Sequence, residues 1–403
     1  MESNCKGNVK ERMLQWGGNL LFSLLIFVIM FDPTNKILHL KDVFFILLVG
    51  YNLIFFKPDF RFVPHIMVVA SVILTAYIFA EMQQNNIDYE VLFSAFKSVS
   101  PLFMLLWVYR YDVIKLSLIP AFLVSLLVTV LYVLVSLNPV IEGAVWRLSI
   151  HYDDVIMMSR RQILGIPIFA MYYKSLVCFI FAYSLYFYLW LNGKKKRHKL
   201  LLIPLLVTLF AFLASGSRTT MLLPFFIAGV VAFQRIRNTR YAKYFVYPIL
   251  GLFFVAFLCF VLILAMETSE SSNEVKYAHL VSYTKLFEEH PVYLLLGQGP
   301  GTSFYSAGFG EYTALTEWSY LEVLRNYGVF GLGILAVFAA PLVPFFRHRD
   351  EERTFVMLFS YVAYLLIAGT NPLLLSSTGM LMVLSAYSYD RKFLNPKLER
   401  NQS

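Results

Sequence analysis

Long apolar runs recur along the whole chain, separated by segments too short to fold alone, and this rhythm decides what the chain can become. The runs at 20–31, 116–137 and 244–266 set the pattern, and the last is long enough to cross about 30 Å of hydrocarbon as a helix. A soluble domain carries roughly 25% charged residues. This chain of 403 residues has 15% charged and 59% hydrophobic residues, with a mean hydropathy of +0.65. A soluble surface needs more charge than that. The expected fold is therefore all-α: a polytopic membrane helix bundle of about twelve spans, with no separate soluble domain over 1–403.

Spans are expected near 14–31, 40–56, 63–80, 91–109, 116–137, 174–191, 200–214, 219–233, 244–266, 323–346, 354–369 and 376–389. The basic residues fall in alternate connectors. Lys6, Lys10 and Arg12; Lys57 and Arg61; Arg110 and Lys115; Lys194, Lys195, Lys196, Arg197 and Lys199; Arg235, Arg237, Arg240 and Lys243; Arg347, Arg349 and Arg353; and Arg391, Lys392, Lys397 and Arg400 account for 23 of the 34 Lys and Arg. The positive-inside rule places these connectors, and both termini, in the cytoplasm. A net charge of +9 distributed in this way orients spans and does not form a nucleic-acid face, so no nucleic acid is expected as a partner. The basic N-terminus followed by an apolar run is similar to a signal peptide, but no small-x-small site follows Phe31, so an uncleaved first span is expected. Cys5, Cys178 and Cys259 form no framework for disulfides.

Two outward connectors, at 139–174 and 267–317, are longer than connectors need to be, and the second is expected to hold short helices. The first carries Arg147, Arg160 and Arg161 beside Glu142, Asp153 and Asp154, on the side where basic residues are disfavoured. A guanidinium offers a planar fork of donors suited to phosphate oxygens, so these arginines are candidates for a pyrophosphate site; ion pairs with Asp153 and Asp154, or lipid headgroups, are the alternative. Arg218 sits in a Gly-Ser-Arg-Thr-Thr turn between two spans. Held there it has little room to snorkel, and a functional cation facing the bundle interior is the expectation, with a lipid anchor as the alternative.

The second connector ends in HPVYLLLGQGPGTSFYSAGFGEYTALTEWSYLEVLRNYGVFG. Its glycines match no phosphate-binding fingerprint and read as turns. Glu317 stands where the chain re-enters the membrane and is a candidate site residue. Glu322 and Arg325, at i, i+3 spacing, are placed to pair. Tyr305, Trp318 and Tyr320 belong to an aromatic-rich stretch suited either to sugar stacking or to an interfacial belt. HExxH, CxxC and GxSxG patterns are all missing, so no metal or cofactor is expected.

LASGSRTTMLLPFFIAGVVAF, then HPVYLLLGQGPGTSFYS, then TEWSYLEVLRNYGVFGLGIL resemble the bacterial O-antigen polymerases of the Wzy type, within a wider group that includes the O-antigen ligases. The shared order is a Ser-Arg turn, a span, a large periplasmic loop, a Pro/Gly-rich stretch and a polar residue before a Tyr-Leu-x-x-x-Arg-x-x-Gly helix. These local motifs cover about 60 residues and are degenerate. The resemblance implies an inverting, metal-independent glycosyltransferase of the inner membrane. It would move a growing glycan from undecaprenyl pyrophosphate onto a new lipid-linked repeat unit in the periplasmic leaflet. Membrane lipids and a chain-length regulator protein are the other partners implied. On that reading Arg218 stabilises the leaving pyrophosphate with Arg147, Arg160 or Arg161, and Glu317 takes the acceptor's proton, with Asp153 or Asp154 as the alternative base. Asp153, Tyr305, Trp318, Tyr320 and Arg325 would contact glycan. The ligases carry His-Asn where this chain has Glu317–Trp318, which favours polymerase over ligase. A lipid-linked oligosaccharide flippase would also have about twelve spans, but it would place charge at mid-membrane and show repeat symmetry.

Overall fold

Away from water, a chain must satisfy its backbone N–H and C=O groups internally, so each apolar run becomes a helix. The computed structural model describes residues 2–83, 85–153, 155–163, 166–193, 195–236 and 271–394. The expected span at 244–266 and Asp154 lie outside them. In order, the helices are α1 (Glu2–Phe31), α2 (Lys41–Phe55), α3 (Val63–Met82), α4 (Tyr89–Val99), α5 (Val113–Leu116), α6 (Leu118–Leu137), α7 (Pro139–His151), α8 (Ile180–Asn192), α9 (Lys195–Ala214) and α10 (Arg218–Ile236). They continue with α11 (Ser271–Glu289), α12 (Val292–Leu296), α13 (Ser319–Tyr327), α14 (Gly331–Ala339), α15 (Leu342–Arg347), α16 (Glu352–Gly369) and α17 (Ser377–Tyr389). Two antiparallel hairpins complete the set, β1 (Ile156–Ile163) with β2 (Ile166–Tyr173) and β3 (Phe304–Ser306) with β4 (Glu311–Thr313).

Among the described residues, eight helical stretches are long and apolar enough to cross a membrane: Val9–Phe31, Phe60–Met82, Tyr89–Arg110, Val113–Leu137, Lys174–Asn192, Arg218–Ile236, Ser319–Ala339 and Glu352–Gly369. The chain is a polytopic helical membrane protein. Lys199–Ala214 is a shorter apolar helix. The expected spans near 40–56 and 376–389 appear as helices of 15 and 13 residues, which at 1.5 Å per residue reach only about 20–23 Å. Helix α17 has no need to reach lipid, because all of its residues are buried among the other helices. Two expected spans are interrupted. Pro101 opens a 3-10 stretch, Ser100–Arg110, after α4, and the run at 323–346 breaks at Gly328 and again before Pro341.

The centre is α8, α16 and α17. The Ser184 and Ser360 hydroxyls bond at 2.7 Å, and Phe181 stacks on Tyr361 at 6.1 Å. The Tyr361 and Tyr387 hydroxyls donate to the carbonyls of Phe338 and Val337, so these two buried phenols stay satisfied in an apolar core.

Contacts between the connectors fall into two sets. At one end Gln15 reaches the Arg110 carbonyl, Tyr109 reaches that of Lys57, Arg235 pairs with Glu352 at 2.7 Å and Lys392 approaches Arg110. All of these residues lie in or beside the basic connectors. At the other end Lys41 meets Ser377, Asn85 donates to the Gln298 carbonyl, Asp88 donates to Gly301 and Ser319 donates to Asn371. The charge alternation in the sequence therefore corresponds to two physical ends of one bundle. Single cysteines replacing Arg349 and Tyr305, with the native cysteines removed, should be labelled by an impermeant maleimide from opposite sides of a sealed membrane. Labelling of both from one side would contradict this arrangement.

Candidate functional site

The end poor in basic connectors is organised by one buried arginine. Arg325, on α13, is 0% exposed, and every one of its N–H groups meets an acceptor. Nε and Nη2 donate to Glu322 at 3.1 and 2.7 Å. Nη1 donates to Gln298 Oε1 and the Thr302 carbonyl, and Nη2 also donates to the Ala314 carbonyl. The guanidinium lies over the Phe304 ring at 4.9 Å. Glu322 is filled in turn: Tyr283 Oη donates to it at 2.5 Å, the Thr316 amide at 2.9 Å and Asn326 at 3.3 Å. The pairing of Glu322 with Arg325 is as expected from their spacing. Arg325 has no donor left for a glycan, however, because its donors are consumed in tying α13 to the 298–302 strap, to Ala314 and, through Glu322, to α11.

The strap itself depends on glycine. Gly297, at φ +82°, would place a Cβ 2.4 Å from the Asn326 carbonyl oxygen, and Gly299, at φ +103°, would place one 2.2 Å from the Ala80 Cβ. These glycines serve turns and close backbone approach, as their spacing suggested.

Helix α11 supplies the polar wall. Lys276, His279 and Tyr283 stand at i, i+3 and i+7, one face of a helix. Lys276 Nζ pairs with Glu317 at 3.2 Å, and neither side chain is fully covered (28% and 36% exposed). The Trp318 indole N–H donates to the Lys276 carbonyl at 3.1 Å, fixing α13 beside α11. His279 is fully buried. Its Nδ1 lies 2.6 Å from Ser306 Oγ, and its ring meets Phe309 edge-on at 4.5 Å. Burial holds the imidazole below its ordinary value of 6.5, against the opposing pull of Glu317 and Glu322. Burial, followed by the Glu322 charge, pushes the Tyr283 phenol up, so Tyr283 is a donor and not a base.

Arg218 opens α10 after a turn in which Gly216 takes φ +61° against Ala170 of β2. Helices α10 and α16 run antiparallel, and Arg235–Glu352, Phe233–Phe355 and Phe226–Phe359 fix their register. Carried to the other end at equal rise, that register sets Arg218 level with Gly369. Lys276 Nζ reaches the adjacent Thr370 carbonyl at 3.4 Å. Lys276 thus approaches the carbonyl end of α16, where the helix dipole favours positive charge, and the register sets Arg218 at the same level of the bundle.

The first enlarged connector is not an open loop. It folds as α7 and the β1–β2 hairpin. Arg147 lies on α7, exposed, its Nε donating to the Gly143 carbonyl. Arg160 pairs with Glu142 at 2.8 Å and is 78% exposed, so the carboxylate partner expected among Asp153 and Asp154 is another residue. In the pleat Arg160 shares a face with Phe169, opposite to the face on which Ala170 meets the Arg218 turn. The structure therefore sets Arg160 and Arg218 on opposite faces of the hairpin. Arg161 lies on β1 opposite Ile168, and Asp153 is exposed beside the end of α7. Tyr305 and Tyr312 form an exposed cross-strand pair at 5.7 Å. Tyr320 donates to the Leu365 carbonyl and packs on Gly369, which holds α13 to α16.

No family model, curated protein or solved structure matches the chain. Among the described residues, no cluster of His, Cys, Asp and Glu could hold a metal ion. The residues that sequence reasoning passed over are Lys276, His279 and Tyr283. Their spacing was visible in EVKYAHLVSYTK, but a stripe read without its partners has no target. Arg325→Met should lower stability by about 3–5 kcal/mol, because it strands the Glu322 carboxylate in the interior. Thermal unfolding in detergent checks this, and adding Glu322→Gln to Arg325→Met should recover part of the loss.

Proposed function

We propose that the chain is a surface-polysaccharide polymerase of the O-antigen type. In this reading it transfers a growing glycan from a polyprenyl pyrophosphate carrier onto a lipid-linked repeat unit. The observation that carries the reading is the Lys276–Glu317 pair at one end of α16, with Arg218 set at the same level by the register of α10 on α16, at the end of the bundle where the positive-inside bias disfavours cations. A leaving lipid pyrophosphate develops negative charge, and fixed cations at a membrane edge stabilise it without reorganising. Arg218 suits the phosphate oxygens through its planar fork, and it stands at the N-terminus of a 19-residue helix, whose free amides add to the favourable field. Glu317, partly exposed beside Lys276, is placed to receive the acceptor sugar. The exposed Tyr305–Tyr312 pair offers ring faces for stacking on the glycan.

The orientation proposed with this function has twelve spans, counting 244–266 and the short helices, with both termini cytoplasmic and the site periplasmic in a bacterial inner membrane. The sequence motifs around Ser217–Arg218 and Tyr320–Arg325 support the same reading. The placement of charge favours it over a flippase: Arg218, Lys276 and Glu317 stand at the edge, and the buried Glu322–Arg325 pair lies within two turns of the start of Ser319–Ala339.

The test is glycan display in a deletion strain. The wild-type gene should restore a ladder of chain lengths. Arg218→Ala and Glu317→Gln, inserted normally, should reduce polymerisation by about 10²–10³-fold and leave single repeats on the lipopolysaccharide. Arg218→Lys should fall between, because an ammonium keeps the charge but loses the fork. Full ladders from both Arg218→Ala and Glu317→Gln would contradict the assignment, and bare core in the deletion strain would point to a ligase.

A further inference from the structure

For the proton acceptor of glycosyl transfer, a residue outside the motifs fits better than Glu317. His279 is completely buried, and its Nε2 has no hydrogen-bond partner among the described residues. A buried polar atom without a partner is costly, and an apolar residue at this position would avoid that cost. The imidazole lies one helical turn along α11 from Lys276, whose ammonium holds Glu317. The charges that act on it are Glu317 and Glu322 from the α13 side and Lys276 from its own helix. The β3–β4 hairpin brings Ser306, Gly308 and Phe309 against it.

That hairpin is a cover. It pairs only through Phe304–Thr313, Tyr305–Tyr312 and Ser306–Glu311. Its tip, Ala307-Gly308-Phe309-Gly310, is rich in glycine, and Gly310 turns at φ +73°. A Cβ at Gly308 would stand 2.6 Å from the imidazole Cε1, so only glycine lets the tip sit down on the ring. Phe309, 47% exposed, closes the remaining side.

We infer that His279 is the catalytic base of glycosyl transfer, held dry beneath the β3–β4 hairpin until an acceptor glycan lifts the tip. This rests on the polymerase reading above. In the step, the acceptor hydroxyl oxygen forms a bond to the anomeric carbon as that carbon's bond to the pyrophosphate oxygen breaks. The bonding pair leaves with the lipid pyrophosphate, which Arg218 and Lys276 receive. The hydroxyl proton passes to His279 Nε2. In the tautomer the step uses, Nδ1–H donates to Ser306 Oγ, 2.6 Å away, and Nε2 is the nitrogen that accepts. The imidazolium then returns its proton to water. Burial keeps the imidazole unprotonated at neutral pH, so a base is ready without a metal or a second histidine.

Two measurements test it. In the first, purified protein in vesicles is given lipid-linked repeat units, and the rate is followed against pH. Wild type should lose activity in acid as the imidazole protonates, below the ordinary histidine range. His279→Ala should fall at least 100-fold, lose that acid limb, and recover several-fold with added imidazole, while Glu317→Gln should keep the limb. If wild type polymerises and His279→Ala retains its rate or the limb, the base assignment is overturned and the polymerase reading stands. If wild type makes no polymer, both fall. The second measurement needs no activity. Carbethoxylation by diethyl pyrocarbonate, read by mass spectrometry, should spare His279 while modifying the exposed His151 and His290, and Phe309→Ala should raise modification of His279 at least tenfold. Equal reaction of all three histidines in the wild-type protein would overturn the cover.

Discussion

A guanidinium removed from water must find an acceptor for each of its N–H groups, and at Arg325 that requirement draws three stretches of chain to one point. Gln298 and Thr302 come from the glycine strap, Ala314 from the segment before re-entry, and Glu322 from the same helix. Glu322 extends the demand to Tyr283 of α11 and the Thr316 amide. Buried ion pairs gain little over apolar packing, but removing one partner is expensive, so such a network specifies an arrangement more than it adds stability. Here the arrangement is a rigid floor beneath the end of the bundle that the polymerase reading uses.

On that floor the neighbours of the hub acquire their positions. Trp318 and Lys276 are joined by the indole-to-carbonyl bond, which presents the Lys276 ammonium to Glu317. His279 follows one turn later, covered by a hairpin whose tip can approach only because Gly308 lacks a side chain. Arg218 arrives by a separate route, through the long antiparallel contact of α10 with α16. The site is therefore assembled from a local network and a remote register, and its charge balance comes from pairing Lys276 with Glu317 before any substrate is present.

The spans were legible because hydropathy and helix length are local properties. Apart from 244–266, which falls outside the described residues, the expected segments appear as helices within a few residues, including the weak ones near 40–56 and 376–389. The breaks at Pro101 and Pro341 and the depth of α17 were not legible, since burial among neighbours is decided by packing. The pairing of Glu322 with Arg325 could be read from their spacing, but its burial could not, and so Arg325 was expected to meet glycan. The first enlarged connector was read as a loop because residues 139–174 alternate too weakly to announce a hairpin, and only the pleat reveals that Arg160 faces away from the Arg218 turn. His279 was missed for a different reason: its meaning depends on Ser306 and Phe309, some 30 residues away, and no local pattern links them.

On the polymerase reading, this bundle breaks a glycosyl–pyrophosphate bond and makes a glycosidic one. The most direct measurement is to reconstitute the purified chain in vesicles with lipid-linked repeat units and to count glycosidic bonds formed against lipid pyrophosphate released. The account predicts a ladder of glycans with one lipid pyrophosphate released per bond. Movement of intact repeat units across the bilayer, with no pyrophosphate released, would contradict it.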